Sequence, residues 1–117
     1  MEYYGASEAD RRIVSSLLGL KFADMGQDWE FVLSDTNLIP IAIDILLREK
    51  ESREVRAAIA CITISSLYDY YRDMGVDHPL RDCAVSAIRK DHSIFSAMKG
   101  FWSNGGGGKY VLDLLGV

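Results

Sequence analysis

The chain has 117 residues, which leaves room for one globular domain of ordinary size. Hydrophobic residues make up 49% and charged residues 26%, a balance that excludes a disordered or fibrous chain. The formal net charge of −4 argues against nucleic acid as a partner, because phosphate binding requires clustered lysine and arginine. We therefore expect a single domain over residues 1–117 whose partner is a basic protein.

Compartment follows from three features of the sequence. The first ten residues lack the basic segment and apolar run of a secretory signal. The longest uncharged run, residues 57–68, is shorter than the roughly 17 residues needed to cross a bilayer. Cys61 and Cys83 lie in apolar helical patterns and are expected to be reduced thiols in the core. These features predict a cytoplasmic protein that does not contact a membrane.

The first predicted helix spans residues 7–25. Ser7 can accept hydrogen bonds at its start, and apolar residues then recur every three or four positions as far as Met25. Gly19 falls inside this helix, where it costs roughly 1 kcal/mol relative to alanine. A close crossing of another helix at Gly19 would account for it.

Two further helices are predicted before residue 51. Residues 29–34 form a short amphipathic stretch that suits a single helical segment. Residues 38–50 are ambiguous, because their isoleucines alternate as in a strand while Pro40 suits the first turn of a helix. A helix is favoured because the alternation stops after Ile45 and no partner strand is found in the sequence.

The longest predicted helix, residues 52–73, forms the centre of the protein. Ser52 can cap its start and Gly75 can end it. Residues 57–67 are apolar or small on every side, as in a helix that neighbours cover around most of its circumference.

Three helices are predicted in the remainder of the chain. One begins at His78-Pro79 and continues to residue 90 with Cys83 facing inward, and the next, residues 93–102, is capped by Ser93. A flexible loop from Gly105 to Gly108 precedes a short terminal helix, residues 109–115. The fold class is thus all-α, an irregular bundle of six to seven helices.

The three helices predicted in residues 29–73 are short, medium and long, in that order. Both this order and the total length of the segment match a HEAT or armadillo repeat. Residues 37–47, with Ile39-Pro40 at a helix start, and residues 54–60, which read Glu-Val-Arg before an alanine-rich run, resemble the second and third helices of an armadillo repeat. This resemblance implies a protein-binding surface. Because such repeats need about three copies to bury a continuous core, we expect one armadillo-like unit within a compact bundle.

The sequence offers weak candidates for catalysis or metal binding. His78 and His92 are 14 residues apart with no second cluster of ligands, so no metal site is predicted. Cys83 follows His78 and Asp82, but a nucleophile facing the core would not reach a base on another helix face. We expect no catalytic residue and no cofactor.

Negative charge is concentrated in the first third of the chain. Residues 1–44 contain eight acids and three bases, whereas residues 45–117 contain nine acids and ten bases. An acidic face steers a basic partner toward binding. The candidate partner-binding acids here are Asp24, Asp28, Glu30 and Asp35. Their use as an acid and base pair is the weaker interpretation, because capping and solvation explain them.

Tyrosines cluster where the central helix ends. Tyr68, Tyr70 and Tyr71 point in different directions, so at least one is expected at the surface, with Asp73 beside them. Tyrosine is common at interfaces because it combines a large rigid surface with a polar tip. Packing in the core is the alternative role for these rings.

The favoured function is a non-enzymatic binding module. In size, acidity and lack of catalytic groups the chain resembles small helical bacterial immunity proteins, which implies that it neutralises a basic, nuclease-type toxin. The alternative is a structural or adaptor subunit that forms a homo- or hetero-oligomer through an apolar patch near Phe101 and Trp102. A small-molecule sensor and an enzyme are further alternatives, and the sequence leaves the oligomeric state open.

Overall fold

Six α-helices contain most of the residues that the structure describes. The structure is a computed structural model, and it describes residues 6–19, 36–103 and 108–116. The helices are α1 (Glu8–Leu17), α2 (Ile39–Arg48), α3 (Arg53–Met74), α4 (Arg81–Lys90), α5 (His92–Trp102) and α6 (Gly108–Leu115), and a 3-10 turn, Thr36–Leu38, precedes α2. These ranges contain no strand, so the all-α prediction is confirmed for them, and Pro40 lies in the first turn of α2 as predicted.

The first helix is shorter than its apolar pattern predicts. Ser7 caps it as expected, since its Oγ accepts a hydrogen bond from the Asp10 N–H at 3.2 Å. The helix ends at Leu17, however, and Gly19 has φ +71°, in the left-handed region that favours glycine. Gly19 therefore follows the helix rather than lying inside it, so the prediction of one continuous helix through Gly19 is wrong, while the part of that prediction over residues 20–25 lies outside the described residues.

The central helix begins and ends as predicted. The Val55 N–H donates to the Ser52 Oγ at 3.2 Å, and Gly75 adopts φ +75° just after the last turn. Every residue from 57 to 67 is buried, and α3 contacts each of the other five helices. Alanine, serine and cysteine in this stretch let neighbouring helices approach closely, while its isoleucines fill the spaces between them.

Two hydroxyl groups buried in α3 are satisfied within the helix. Thr63 Oγ1 donates to the Ile59 carbonyl at 2.7 Å, and Ser66 Oγ donates to the Ile62 carbonyl at 2.8 Å. These bonds remove the cost of burying a hydroxyl without a partner. The core of the described helices can therefore pack around α3 on all sides.

The helix α4 starts later than predicted, and Cys83 on it does not face the core. It begins at Arg81, two residues after Pro79, because residues 79 and 80 form a turn. Ala84, Ala87 and Ile88 face the core, but Cys83 is exposed. One residue corresponds to about 100° around a helix, which places Cys83 beside the buried stripe rather than in it. Cys61 is buried as expected.

Asp91, not Ser93, caps α5. Asp91 Oδ1 accepts hydrogen bonds from the N–H groups of Ser93 and Ile94 at 3.0 and 3.2 Å. Its other oxygen, Oδ2, forms an ion pair with Arg56 Nη1, while Arg56 Nε donates to the Glu51 carbonyl at 3.2 Å. Ser93 was the wrong prediction because it already lies in the first turn, and Asp91 has the extended backbone of a cap residue.

These contacts stabilise the ionised form of the Asp91 carboxyl group. Burial raises the pKa of its carboxyl group, but the hydrogen bonds from Ile94, Arg56 and Ser93, with the charge of Arg56, outweigh burial. The pKa of Asp91 is consequently lower than its ordinary value of 3.8. The ion pair thereby links the start of α3 to the start of α5.

The terminal helix α6 is confirmed and includes Gly108, which the sequence assigns to a loop. The rest of that predicted loop, like the short helix predicted at 29–34, lies outside the described residues. The two described α-helices within residues 29–73, for which an armadillo-like unit is predicted, are α2 and α3, and they pack on each other. None of the helices in the described ranges combines the length and the apolar character needed to span a bilayer.

Candidate protein-interaction site

A short turn connects the end of α3 to the start of α4. The Gly75 N–H donates to the Tyr71 carbonyl at 2.8 Å and closes the helix. Three residues later, His78 Nδ1 accepts a hydrogen bond from the Leu80 N–H at 3.0 Å, just before α4 begins. This turn brings Asp77 and His78 beside the last two turns of α3.

Tyr110 of α6 contacts two of the three tyrosines of α3, Tyr71 and Tyr68. Its ring stacks on Tyr71, with centroids 4.3 Å apart and planes inclined by 14°, and lies 6.2 Å from Tyr68. Tyr70 makes an edge contact with His78, with centroids 4.7 Å apart. Tyr71 is 40% exposed while Tyr68 and Tyr70 are half-buried, which confirms that at least one of the three reaches the surface.

A hydrogen bond fixes the orientation of Tyr110. Its hydroxyl donates to Asp77 Oδ1 at 3.0 Å, and the Arg81 Nε lies 3.6 Å from the same oxygen. Burial and then the hydrogen bond and charge of Asp77 raise the pKa of Tyr110 to about 12, against a smaller lowering by Arg81. Tyr110 is thus a neutral donor throughout the physiological pH range.

Two exposed apolar side chains lie at the end of α3, one in its last turn and one just after Gly75. Met74 is 61% exposed and Val76 is 58% exposed. We refer to Tyr68, Tyr70, Tyr71, Met74, Val76 and Tyr110 together as the tyrosine surface. Soluble proteins seldom expose contiguous apolar groups without a use for them, so this surface is a candidate for binding.

Four aspartates border the tyrosine surface, namely Asp69, Asp73, Asp77 and Asp82. Only two arginines lie among them, and both are engaged. Arg72 lies 3.4 Å from Asp69 and 3.1 Å from Asp73, and Arg81 lies 2.9 Å from Asp82. The hydrogen bond that Arg72 Nε donates to Asp73 Oδ1 is the largest cause that raises the pKa of Arg72. The border therefore keeps an excess of negative charge.

The structure brings together half of the predicted site residues. Tyr68, Tyr70, Tyr71 and Asp73 lie at one end of α3, whereas the predicted acids Asp24, Asp28, Glu30 and Asp35 lie outside the described residues. The sequence pointed neither to Tyr110 nor to Asp77, because only the docking of α6 brings them to α3. Met74 and Val76 flank the helix-ending Gly75, a position from which exposure could have been predicted.

The apolar patch predicted around Phe101 and Trp102 is largely covered. Trp102 is only 2% exposed, and Phe101 is half-buried against the core with its ring 5.7 Å from Trp102. The reason is that α6 packs on α5, with Val111, Leu114 and Leu115 facing inward. Trp102 therefore stabilises the fold from within the core, while Phe101 stays partly exposed.

Few titratable groups of the described residues are arranged for chemistry. Among them, no three histidine, cysteine, aspartate or glutamate side chains are close enough to hold a metal ion. His78 Nδ1 already accepts a backbone hydrogen bond, and Cys83 is exposed on α4. The organised feature of this region is a surface of rings and carboxylates.

Comparisons of the chain with protein-family models, with curated proteins and with solved structures found no match. The armadillo-like unit in residues 29–73 and the likeness to immunity proteins stay predictions. The described residues define an all-helical protein with a tyrosine-rich, acid-bordered surface.

Proposed function

We propose that this chain is a non-enzymatic protein-binding module that docks onto a basic partner protein through the tyrosine surface. The observation that carries the proposal is the exposure of Tyr71, Met74 and Val76 within a border of four aspartates. Tyrosine and methionine are enriched in protein interfaces, and an acidic border favours a basic partner.

The rigidity of the surface supports this role. Tyr71 stacks on Tyr110, whose hydroxyl is bonded to Asp77, so both rings are held in place before any partner arrives. A preorganised ring loses little conformational entropy on binding, which leaves more of the contact energy for affinity.

The specific form of the proposal is an immunity protein that covers a basic, nuclease-type toxin. An acidic helical protein can block such a toxin by occupying the surface that would otherwise bind nucleic acid phosphates. The acids Asp24, Asp28, Glu30 and Asp35 remain a second candidate for the same contact. The armadillo-like helix pair α2 and α3 is consistent with a binding role, since α3 carries the tyrosines.

The experiment measures binding to a basic nuclease domain, beginning with any toxin encoded beside this gene, by calorimetry at low and physiological salt and by inhibition of the nuclease. Tyr71→Ala should weaken binding about tenfold or more if the ring is a central contact. Asp73→Lys with Asp82→Lys should weaken it further and flatten its salt dependence, because both side chains are exposed.

A matched control changes the same charge elsewhere. Glu49→Lys with Glu54→Lys alters two exposed acids near the start of α3, and Glu54 lies about 21 Å along the helix axis from Tyr68. These variants should bind nearly as the unmodified protein does. If the control pair and the Asp73/Asp82 pair weaken binding equally, the loss of affinity reflects general charge attraction. The absence of binding to any basic nuclease at low salt would refute the proposal.

Charge reversal at Asp28, Glu30 and Asp35 separates the two candidate acidic regions. If it weakens binding while Tyr71→Ala does not, the contact lies in the first third of the chain and the tyrosine surface is excluded.

The second candidate function is a structural or adaptor subunit. Trp102 is buried, so the patch first suggested for an oligomer does not support this alternative. A strict monomer by light scattering would exclude the homo-oligomeric form.

A further inference from the structure

Positive side chains converge on one aromatic ring near the other end of α4. The Arg89 guanidinium carbon lies 4.8 Å from the centroid of the Phe95 ring, and the Lys99 Nζ lies 4.9 Å from the same centroid. Phe95 is half-buried and packs against the core, while Lys90 is exposed beside Arg89. We refer to Arg89, Lys90, Phe95 and Lys99 as the cation platform.

These cations have no acidic partner among the described residues. Ion pairs there engage five other arginines: Arg12, Arg48, Arg56, Arg72 and Arg81. Asp91, the acid nearest to Arg89 in sequence, is bound to Arg56. Lys90 and Lys99 are likewise in no ion pair of the described ranges. Within the described part of the chain, the positive charge of the platform is therefore not neutralised by a carboxylate.

Helix ends explain part of this arrangement but not all of it. Arg89, Lys90 and Lys99 lie in the last turns of α4 and α5, where cations complement the helix dipole. That effect does not require two of them to meet over one ring. The Arg89 side chain also passes close to Gly116 of the C-terminal region, where a Cβ would lie 3.1 Å from its Nη2.

We propose that the cation platform binds an acidic peptide segment of a partner protein. Two cations that rest on one ring are already ordered, so pairing them with carboxylates costs less side-chain entropy than pairing free surface lysines. Nucleic acid is the poorer fit, because three cations on a chain of net charge −4 do not form the extended basic stripe that phosphates need.

The platform is distinct from the tyrosine surface. Asp82 borders the tyrosine surface at the start of α4, and Arg89 lies seven residues further along the same helix, about 10 Å away along its axis. One protein could then hold a basic partner at one surface and an acidic segment at the other, although the platform does not depend on the proposed function.

The experiment titrates the full chain with a polyglutamate peptide, with polyglutamine as the uncharged counterpart, and follows binding by calorimetry. Saturable binding of polyglutamate that weakens with salt is expected. Arg89→Gln with Lys99→Gln should weaken it about fivefold to tenfold, as two exposed ion pairs would. Arg12→Gln with Arg48→Gln removes the same charge from α1 and α2 and should leave the affinity nearly unchanged.

Phe95→Leu tests the ring itself, because it keeps an apolar side chain against the core and removes the aromatic face. An intermediate loss of affinity is expected, with an unfolding midpoint close to that of the unmodified protein. Tyr71→Ala, which leaves the net charge unchanged, should bind polyglutamate normally, so that failure of this proposal and failure of the proposed function are distinguishable.

Three results would overturn the proposal. Equal weakening by the two double variants would assign the binding to net charge alone. Inorganic phosphate or a single-stranded oligonucleotide that binds as tightly as polyglutamate, and is lost in the same variants, would replace the acidic peptide as the ligand. No binding of polyglutamate at low salt would exclude the site.

Discussion

Replacing Asp91 separates two contributions to stability that one carboxylate makes. One oxygen caps α5 by accepting from Ser93 and Ile94, and the other pairs with Arg56 of α3. Asp91→Ala removes both contributions. Asp91→Asn keeps a side-chain oxygen that caps a helix nearly as well and removes only the charge.

The burial of the pair sets the expected size of each effect. Arg56 and Asp91 have side chains that are 13% and 22% exposed, so the pair is largely but not fully buried. Breaking a fully buried pair costs about 3–5 kcal/mol, and partial hydration reduces this here to roughly 2 kcal/mol for Asp91→Asn. Asp91→Ala adds the loss of the cap, about 1 kcal/mol, for a total of roughly 3 kcal/mol.

Urea unfolding at neutral pH measures both free energies of unfolding, and Asp113→Asn, at an exposed aspartate of α6, serves as the control. A pH series adds a second test. The pKa of Asp91 is lowered by folding, so its stabilisation is present above the ordinary value of 3.8 and is lost as pH falls through the folded pKa. Asp91→Asn should remove that share of the acid sensitivity.

Two results would refute this reasoning. If Asp91→Asn and Asp91→Ala destabilise the protein equally, the cap makes no separate contribution. If neither differs from Asp113→Asn by more than about 0.5 kcal/mol, the ion pair does not stabilise the contact between α3 and α5.

Three other predictions concern single side chains. Tyr110→Phe removes the hydrogen bond to Asp77 and should lower the free energy of unfolding by about 1 kcal/mol in urea. Because the folded pKa of Tyr110 is about 12, the stabilisation by this hydroxyl is present below about pH 10 and is lost as pH rises toward 12, and the variant should lack this pH dependence. Ile62→Ala leaves a cavity in the fully buried centre of α3 and should lower the free energy of unfolding by about 3 kcal/mol, whereas a change below about 1 kcal/mol would mean that the core is loosely packed there. Cys83 should react with a thiol reagent in the folded protein and Cys61 only in denaturant, and modification of both at one rate would contradict the difference in their burial.

Local signals in the sequence located most helix ends correctly. Ser7 and Ser52 were identified as caps because a serine before acidic first-turn residues can satisfy free N–H groups, and this interaction involves only neighbouring residues. The burial of residues 57–67 was also predictable, since a helix without a polar face must be covered by its neighbours. Such features depend on spacing along the chain alone.

The misplaced ends show where spacing is insufficient. Gly19 ends α1 although the apolar pattern continues beyond it, because a glycine can either remain helical or turn left-handed and the pattern does not indicate which. Asp91 replaced Ser93 as the cap of α5 because Arg56, 35 residues away, holds its carboxylate in position. That contact exists only after α3 and α5 have packed together.

The sequence by itself thus determined the helical class, the central helix and the tyrosines at its end, since each follows from residues close together in the chain. Only the tertiary structure decided that Tyr110 stacks on Tyr71 and bonds to Asp77, and that Arg89 and Lys99 meet over Phe95. The physical reason is that the contacts of Tyr110 join segments that are distant in the chain, and the meeting of Arg89 and Lys99 over Phe95 depends on the angle at which α4 meets α5. Both candidate surfaces are products of that packing.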